Sequence, residues 1–290
     1  MAGVITLKKA DFSASNIGKV SMLNAYTKKV LATQTKYAED SKEAIAINAF
    51  IENLTSKKYI GNNNTSLLRV LMLPCLAKSE SEMFINLART DASGNPMDWS
   101  PAAPSKYFLT DKGAYCGEVL NNFTADLGFR LDTSDVFIPG EPIPGFSIMH
   151  YNYNDITNNP SIRALAQCQS GVIVNFYGIA PSVGVGASLV TATTARTSVD
   201  KGFYGMSYKD KNLIVNLNGV TEASVSVPDY TMELGANVTM ANNNFILLQG
   251  QGVANARAES SLIAFGKELT QAQLAELKGY VDELMSALNI

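Results

Sequence analysis

Apolar and polar positions recur along this chain in two rhythms, one near 3.6 residues and one of two, and the change between them divides it. The closing stretch, residues 260–290, reads SSLIAFGKELTQAQLAELKGYVDELMSALNI. Leu262, Ile263, Ala264 and Phe265 form a short apolar strand that Gly266 is expected to break. Thr270 then stands three residues before Gln273, the spacing of a reciprocal N-terminal capping box. Leu274, Leu277, Val281, Leu284 and Leu288 follow at steps of three and four, which lays one helical face on an apolar surface. The same spacing also suits a self-associating seam.

Asp40 and Glu43 repeat the capping spacing earlier in the chain, and Ile47, Phe50, Ile51 and Leu54 fall on one helical face. This predicts a helix that ends near Ser56–Lys58, before the turn-rich GNNN. Leu67–Leu76 is an apolar run interrupted by Arg69 and Pro74, and the proline assigns it, as a strand, to an edge or an end. From about Met83 the rhythm becomes β: short apolar runs separated by Gly, Pro, Asn and Asp clusters. Candidate strands are Gly128–Leu131, Phe146–Tyr151, Gly171–Phe176, Gly202–Tyr208 and Asn244–Gln249. The clearest hairpin sets Leu213, Val215 and Leu217 against Ala223, Val225 and Val227 around Asn218-Gly219. Strict two-residue pairing would send those two sets to opposite faces, so a bulge in the return strand is expected if both are buried. The fold class is therefore mainly β: an antiparallel two-sheet sandwich with an introductory helix and a C-terminal amphipathic helix.

Residues 1–36 carry too little apolar mass for a core of their own. They read as an attachment or oligomerisation arm whose apolar positions are Val4, Ile5, Leu7, Phe12, Ile17 and Val20, and residues 37–290 then form the sandwich domain. Hydrophobic residues make up 46% of the 290 and charged residues only 17%, so Asn, Ser, Thr and Gly carry much of the solubility. That balance suits loop-rich β architecture. A net charge of −3 gives no electrostatic case for binding nucleic acid. No run of 18 apolar residues predicts a membrane-spanning helix, and the N-terminus lacks an apolar stretch of signal-peptide length, which points to folding in a cytoplasm. Cys75, Cys116 and Cys168 form no CxxC pair and read as reduced thiols.

Catalytic signatures are scarce. The single histidine, His150, lies in a strand pattern and reads as a packed side chain, and no GxSxG elbow surrounds any serine. Ser182–Ser188 holds Gly184 and Gly186 but lacks the GK[ST] ending of a phosphate cradle. The ExDxxE strand of sandwich-fold glycosidases is absent, and Asp132 and Asp135 read as turn residues. No cofactor and no metal is expected. Sugar binding is better supported by composition: Trp99 lies among prolines, and YNYNDITNN supplies Tyr151, Tyr153 and Asp155 amid asparagines, the mixture of a lectin-like loop site.

The order of elements resembles a known group. EAIAINAFIENL is followed by LLRVLMLPCLAKSESEMFINLA, FLTDKGAYC, RLDTS, FSIMHYNYND and NLIVNLNGV, then by FILLQGQ and SSLIAFGKELTQAQLAELKGYVDELMSAL. From about residue 41 to 290 this is similar to tailed-phage and prophage virion proteins carrying a concanavalin A-like (laminin-G-like) jelly-roll domain. The resemblance implies a non-enzymatic virion structural protein, as a head fibre, decoration or tail appendage. Its arm would dock on other virion proteins or on a sister subunit in a homo-oligomer. The alternative reading is a carbohydrate-binding, host-adhesion module that takes host surface glycan. A glycan depolymerase is the less favoured third.

Overall fold

The computed structural model describes residues 23–61, 65–99, 107–116, 119–120, 129–130, 146–153, 166–170, 172–176, 182–185, 188–192, 194, 200–209, 211–226, 244–247, 250–251 and 259–290. Three helices fall in them: α1 (Ala25–Thr33), α2 (Lys42–Ser56) and α3 (Gln271–Ala287). The first strands are β1 (Leu68–Met72), β2 (Ile85–Thr90), β3 (Pro96–Asp98), β4 (Tyr107–Leu109), β5 (Ala114–Cys116) and β6 (Val119–Leu120). Next come β7 (Phe129–Arg130), β8 (Phe146–Asn152), β9 (Ala166–Ser170), β10 (Val172–Phe176), β11 (Ser182–Val185) and β12 (Ser188–Thr191). The last are β13 (Gly202–Lys209), β14 (Asn212–Leu217), β15 (Val220–Ser226), β16 (Asn244–Leu247), β17 (Gly250–Gln251) and β18 (Glu259–Lys267). The protein is thus mainly β with few helices, and its two larger sheets are antiparallel.

The larger sheet runs β15-β14-β13-β8-β18-β1-β2-β3, with the β4–β5 hairpin added to the free end of β18. A second sheet runs β12-β11-β10-β9-β16-β7, and β17 pairs in parallel with β6. In the larger sheet two cross-strand rows point to what we call the outer face. They are Leu217–Tyr204–His150–Ile263–Met72 and Val215–Met206–Ile148–Phe265–Val70, and every member is buried. The inner face carries Phe203–Tyr151–Leu262 and Gly205–Met149–Ala264–Leu71. Burial on both faces is why FSIMHY and LIAF read as continuous apolar runs and not as a strict alternation.

All three helices share one core with the inner face, through Val30, Leu31, Ile47, Ile51, Leu54, Leu274, Leu277, Val281 and Leu284. Small residues let α3 come close: a Cβ on Gly205 would stand 3.2 Å from Leu274 Cδ2. Ser147 Oγ donates to the Lys267 carbonyl at 2.6 Å, and Ser207 Oγ donates to the Leu269 carbonyl at 2.7 Å while accepting from Leu269 N–H at 3.1 Å. Two inner-face serines thereby satisfy the backbone of the connection from β18 to α3. The capping box forms as its spacing predicts, with Thr270 Oγ1 accepting from Gln273 N–H at 3.2 Å and Thr270 N–H donating to Gln273 Oε1 at 2.8 Å. Tyr59, just past α2, donates from its phenol to the Gln273 carbonyl at 2.9 Å and ties two helices together.

Several local expectations shift. Helix α2 is capped by Ser41, whose Oγ accepts from Ala44 N–H at 3.0 Å, so Asp40 lies one residue before the cap. Gly266 does not break its strand: β18 continues through it to Lys267. The glycine is needed because a Cβ there would sit 2.1 Å from the Leu67 carbonyl oxygen. Of the two positions open to Pro74 the structure takes the end: the proline begins a 3-10 turn just past β1, which is flanked by β18 and β2 and so is no edge. The hairpin of β14 and β15 behaves as its pattern requires. Asn218 (φ 51°) and Gly219 (φ 85°) make the turn, and register slips between Val215↔Ala223 and Asn216↔Thr221, leaving Glu222 as the extra residue.

Residues 23–36, read from the sequence as part of an arm, pack into the domain. Leu23, Thr27, Val30, Leu31 and Gln34 are buried, and Asn24 caps α1 by accepting from Thr27 N–H at 2.7 Å. Gln34 Nε2 donates to the carbonyls of Leu73 and Glu82, and Thr35 N–H donates to Glu82 Oε2 at 2.8 Å. The arm positions Val4, Ile5, Leu7, Phe12, Ile17 and Val20 lie outside the described residues.

Candidate functional site

Of the residues singled out for sugar binding, Trp99, Tyr151 and Tyr153 are described, and they do not come together. Tyr151 sits on the inner face between Phe203 and Leu262, and burial, followed by the charge of Asp282, raises its phenol pKa. Tyr153 is buried as well, with its phenol oxygen 2.6 Å from Thr110 Oγ1. Trp99 is half-buried and stands edge-on to Phe265 at 6.5 Å, on the opposite face of the sheet. Its backbone N–H donates to the Phe84 carbonyl at 2.8 Å. Asp155 lies outside the described residues. Tyrosines at a strand end packed inward because β8 is covered on both faces, so neither ring is offered to a ligand.

The groups with most chemical potential are sealed in the core. His150 is 2% exposed, its ring centroid 5.3 Å from that of Tyr204, and burial pushes its pKa down to about 3. It is a neutral imidazole at any ordinary pH. Cys75 is fully buried, and burial raises its thiol to about 12, far from the thiolate a nucleophile requires. Among the described residues no cluster of three or more His, Cys, Asp or Glu is arranged to hold a metal ion, and no helix is long and apolar enough to cross a membrane.

A different aromatic feature is exposed. The β4–β5 hairpin turns through Thr110-Asp111-Lys112-Gly113, where Thr110 N–H donates to the Gly113 carbonyl at 2.7 Å and Thr110 Oγ1 accepts from Gly113 N–H at 3.1 Å. Gly113 is held against β18 so closely that a Cβ would fall 2.2 Å from the Ser260 carbonyl oxygen. This pinning puts Phe108, Tyr115 and Glu259 in register across three strands. The two rings stack with centroids 5.4 Å apart and planes at 25°, and Phe108 is 41% exposed. Its neighbour Tyr107 points the other way and packs edge-on against Phe84 at 5.3 Å. The alternation of YFL and AYC around TDKG carries this hairpin in the sequence, but three-residue strands are too short to stand out by rhythm.

No family model and no curated protein matches the chain. Solved structures offer weak likenesses. Domain 4 of AbnA, a GH43 extracellular arabinanase from Geobacillus stearothermophilus in complex with arabinotriose, is 14% identical over 73% of this chain and 98% of that one, with a TM-score of 0.43. The Ruminococcus gnavus IT-sialidase CBM40 bound to alpha2,3 sialyllactose is 12% identical over 47% of this chain and 83% of that one, with a TM-score of 0.33. The binding domain of Paraclostridial Mosquitocidal Protein 1 is 12% identical over 73% of this chain and 51% of its own length, with a TM-score of 0.43. Likenesses of this size assign neither a family nor a ligand.

Proposed function

We propose that this chain is a non-enzymatic recognition domain that binds carbohydrate, built as a sandwich in which the second sheet covers the outer face of the larger one. The observation that carries the reading is the contrast between sealed chemistry and open aromatics. His150 and Cys75 are withdrawn into the core, with pKa values moved away from reactivity, while Phe108 lies exposed on a pinned hairpin, stacked on the half-buried Tyr115. A rigid scaffold that holds an exposed aromatic ring in place suits binding better than turnover. The test is a glycan array probed with the full chain, run beside an assay for reducing-end release from the same polysaccharides. Binding without release is the expected result; a blank array overturns the reading, and release overturns its non-enzymatic part.

A second reading is favoured by the order of elements. The introductory helix α2 and the closing β18–α3 unit, on which the resemblance to virion proteins is drawn, are both present. On this reading the domain is displayed on a phage particle, and residues 1–22 join it to a sister subunit. Mass in solution of the full chain and of a chain lacking residues 1–22 checks this. An oligomer that becomes a monomer supports the joint; two monomers refute self-association through that segment.

A further inference from the structure

We infer that Asn218-Gly219 is a deamidation site that the fold holds shut, with Asn216 as the residue that holds it; the inference stands apart from the carbohydrate-binding reading. This is the one Asn-Gly pair in the sequence. In a flexible chain such a pair is the most labile setting for an asparagine, because glycine has no side chain to shield its amide nitrogen. That nitrogen gives up its proton to base and attacks the asparagine Cγ, forming a new C–N bond. The Cγ–Nδ2 bond then breaks and the nitrogen leaves as ammonia, carrying a proton. Water opens the resulting cyclic imide at either carbonyl, which leaves aspartate or isoaspartate.

Both reacting groups are engaged elsewhere in the folded chain. Gly219 N–H donates to Asn216 Oδ1 at 3.0 Å, which turns the nucleophile away from Cγ. Asn218 Oδ1 accepts from Phe203 N–H at 2.8 Å, while Asn218 N–H donates to the Phe203 carbonyl at 2.8 Å. The side-chain carbonyl thereby takes the ladder position that the backbone carbonyl of a straight strand would fill. Gly202 (φ 144°) makes room for it, since a Cβ there would lie 2.1 Å from Asn218 Oδ1. Helix α3 closes the other side: Gln271 Nε2 donates to the Gly219 carbonyl at 3.2 Å, and a Cβ on Gly219 would stand 3.3 Å from Lys278 Cδ.

Asn216 is fully buried on β14, and among the described residues its Nδ2 has no partner. An amide buried with one half unpaired costs free energy, and the half that is satisfied is the bond to Gly219. The bonds to Phe203 and Asn216 must open before Cγ and the Gly219 nitrogen can meet, so reaction proceeds from the locally opened hairpin. Its products differ in consequence. Aspartate keeps an oxygen for Phe203 N–H, whereas isoaspartate inserts an extra carbon into the main chain and spoils the register of β14 and β15. An opened hairpin that reacts this way cannot reclose at the end of the larger sheet.

The test holds the full chain at pH 8, native or in guanidinium chloride, and follows loss of the Asn218 amide by mass spectrometry of its peptides. Hydrogen exchange at the Gly219 amide is read in the native parent. The amide should be lost about tenfold or more slowly in the native chain than in the denatured one, with slow exchange at Gly219. N216A removes the acceptor and should speed the native loss by about three- to tenfold. N216D keeps an acceptor, drops only the unpartnered Nδ2, and should restore the parent rate. Equal loss in the native and denatured chains, or fast exchange at Gly219, overturns the inference. A parent rate in an N216A chain that melts as the parent does overturns the role of Asn216. If N216A melts early, N216D decides: a parent-like melting profile with faster loss refutes the acceptor role.

Discussion

Burial of His150 should make the protein acid-sensitive in a window where most other groups are silent. Its folded pKa lies near 3, against an ordinary value near 6.5 in the unfolded chain. Between those values the unfolded state binds a proton that the native state refuses, so stability falls as pH falls. The loss begins near pH 6.5 and grows at about 1.4 kcal/mol per pH unit, reaching about 2 kcal/mol at pH 5. Ordinary carboxylates have scarcely begun to titrate there. In the outer-face row the ring's strand neighbours are Tyr204 and Ile263, neither of them charged at these pH values. The assay is denaturant unfolding at pH 7.5, 6.5, 5.5 and 5.0 for the parent and for His150→Phe, which keeps a flat ring and removes the proton site. The variant's curve should be flatter by the amount stated, whatever its absolute stability. Parallel curves, or an imidazole resonance that titrates near pH 6.5 in the folded protein, would refute the argument.

Two glycines should respond in opposite directions to the same substitution. Gly266→Ala drives a methyl group into the Leu67 carbonyl, backbone that cannot rotate away, and should lower stability by about 3 kcal/mol in denaturant melts. Gly279→Ala meets nothing within 4 Å in the middle of α3 and should raise stability by roughly 0.5–1 kcal/mol. Thr270→Ala removes the side-chain half of the capping box on α3 and should cost about 1 kcal/mol, with Thr270→Ser restoring most of it.

Much of the architecture was legible because long elements announce their period. The stripe Leu274, Leu277, Val281, Leu284 is buried throughout, and parity requires the bulge opposite Val215 once Ala223 and Val225 are to share a face with Leu213 and Val215. Helix α1 was not legible, since one of its three buried positions, Thr27, and its buried C-cap, Gln34, are polar, and only the carbonyls of Leu73 and Glu82 reveal why Gln34 is tolerated inside. The strand end at Gly266 was misread for a related reason: a glycine that ends a strand and one that admits a neighbouring backbone look the same in sequence. Of the lectin-like stretch, the two tyrosines that the structure describes are covered. Tyr151 and Tyr153 have the right composition, but composition does not say which way a strand faces, and both faces of β8 are covered. The hairpin that does expose an aromatic ring, Phe108, is held by a three-strand register, which sequence proximity between residues 108 and 259 cannot supply.

The division of the N-terminal segment at residue 22, and not at 36, is open to a direct trial. Deleting residues 1–36 removes Leu23, Val30 and Leu31 from the helix layer, each worth about 1.5–3 kcal/mol of burial. It also strips Gln34 from the Leu73 and Glu82 carbonyls and Lys36 from the Cys75 carbonyl, which it reaches at 3.1 Å. The sum is comparable to the whole stability of an ordinary domain, about 5–15 kcal/mol. Deletion of 1–22 leaves every one of these contacts in place. Chains starting at residue 23 should therefore melt cooperatively near the parent temperature, whereas chains starting at 37 should be insoluble or unfolded by near-ultraviolet circular dichroism. A stable, soluble 37–290 fragment would show that α1 only decorates the core, and the longer segment would again qualify as a detachable arm.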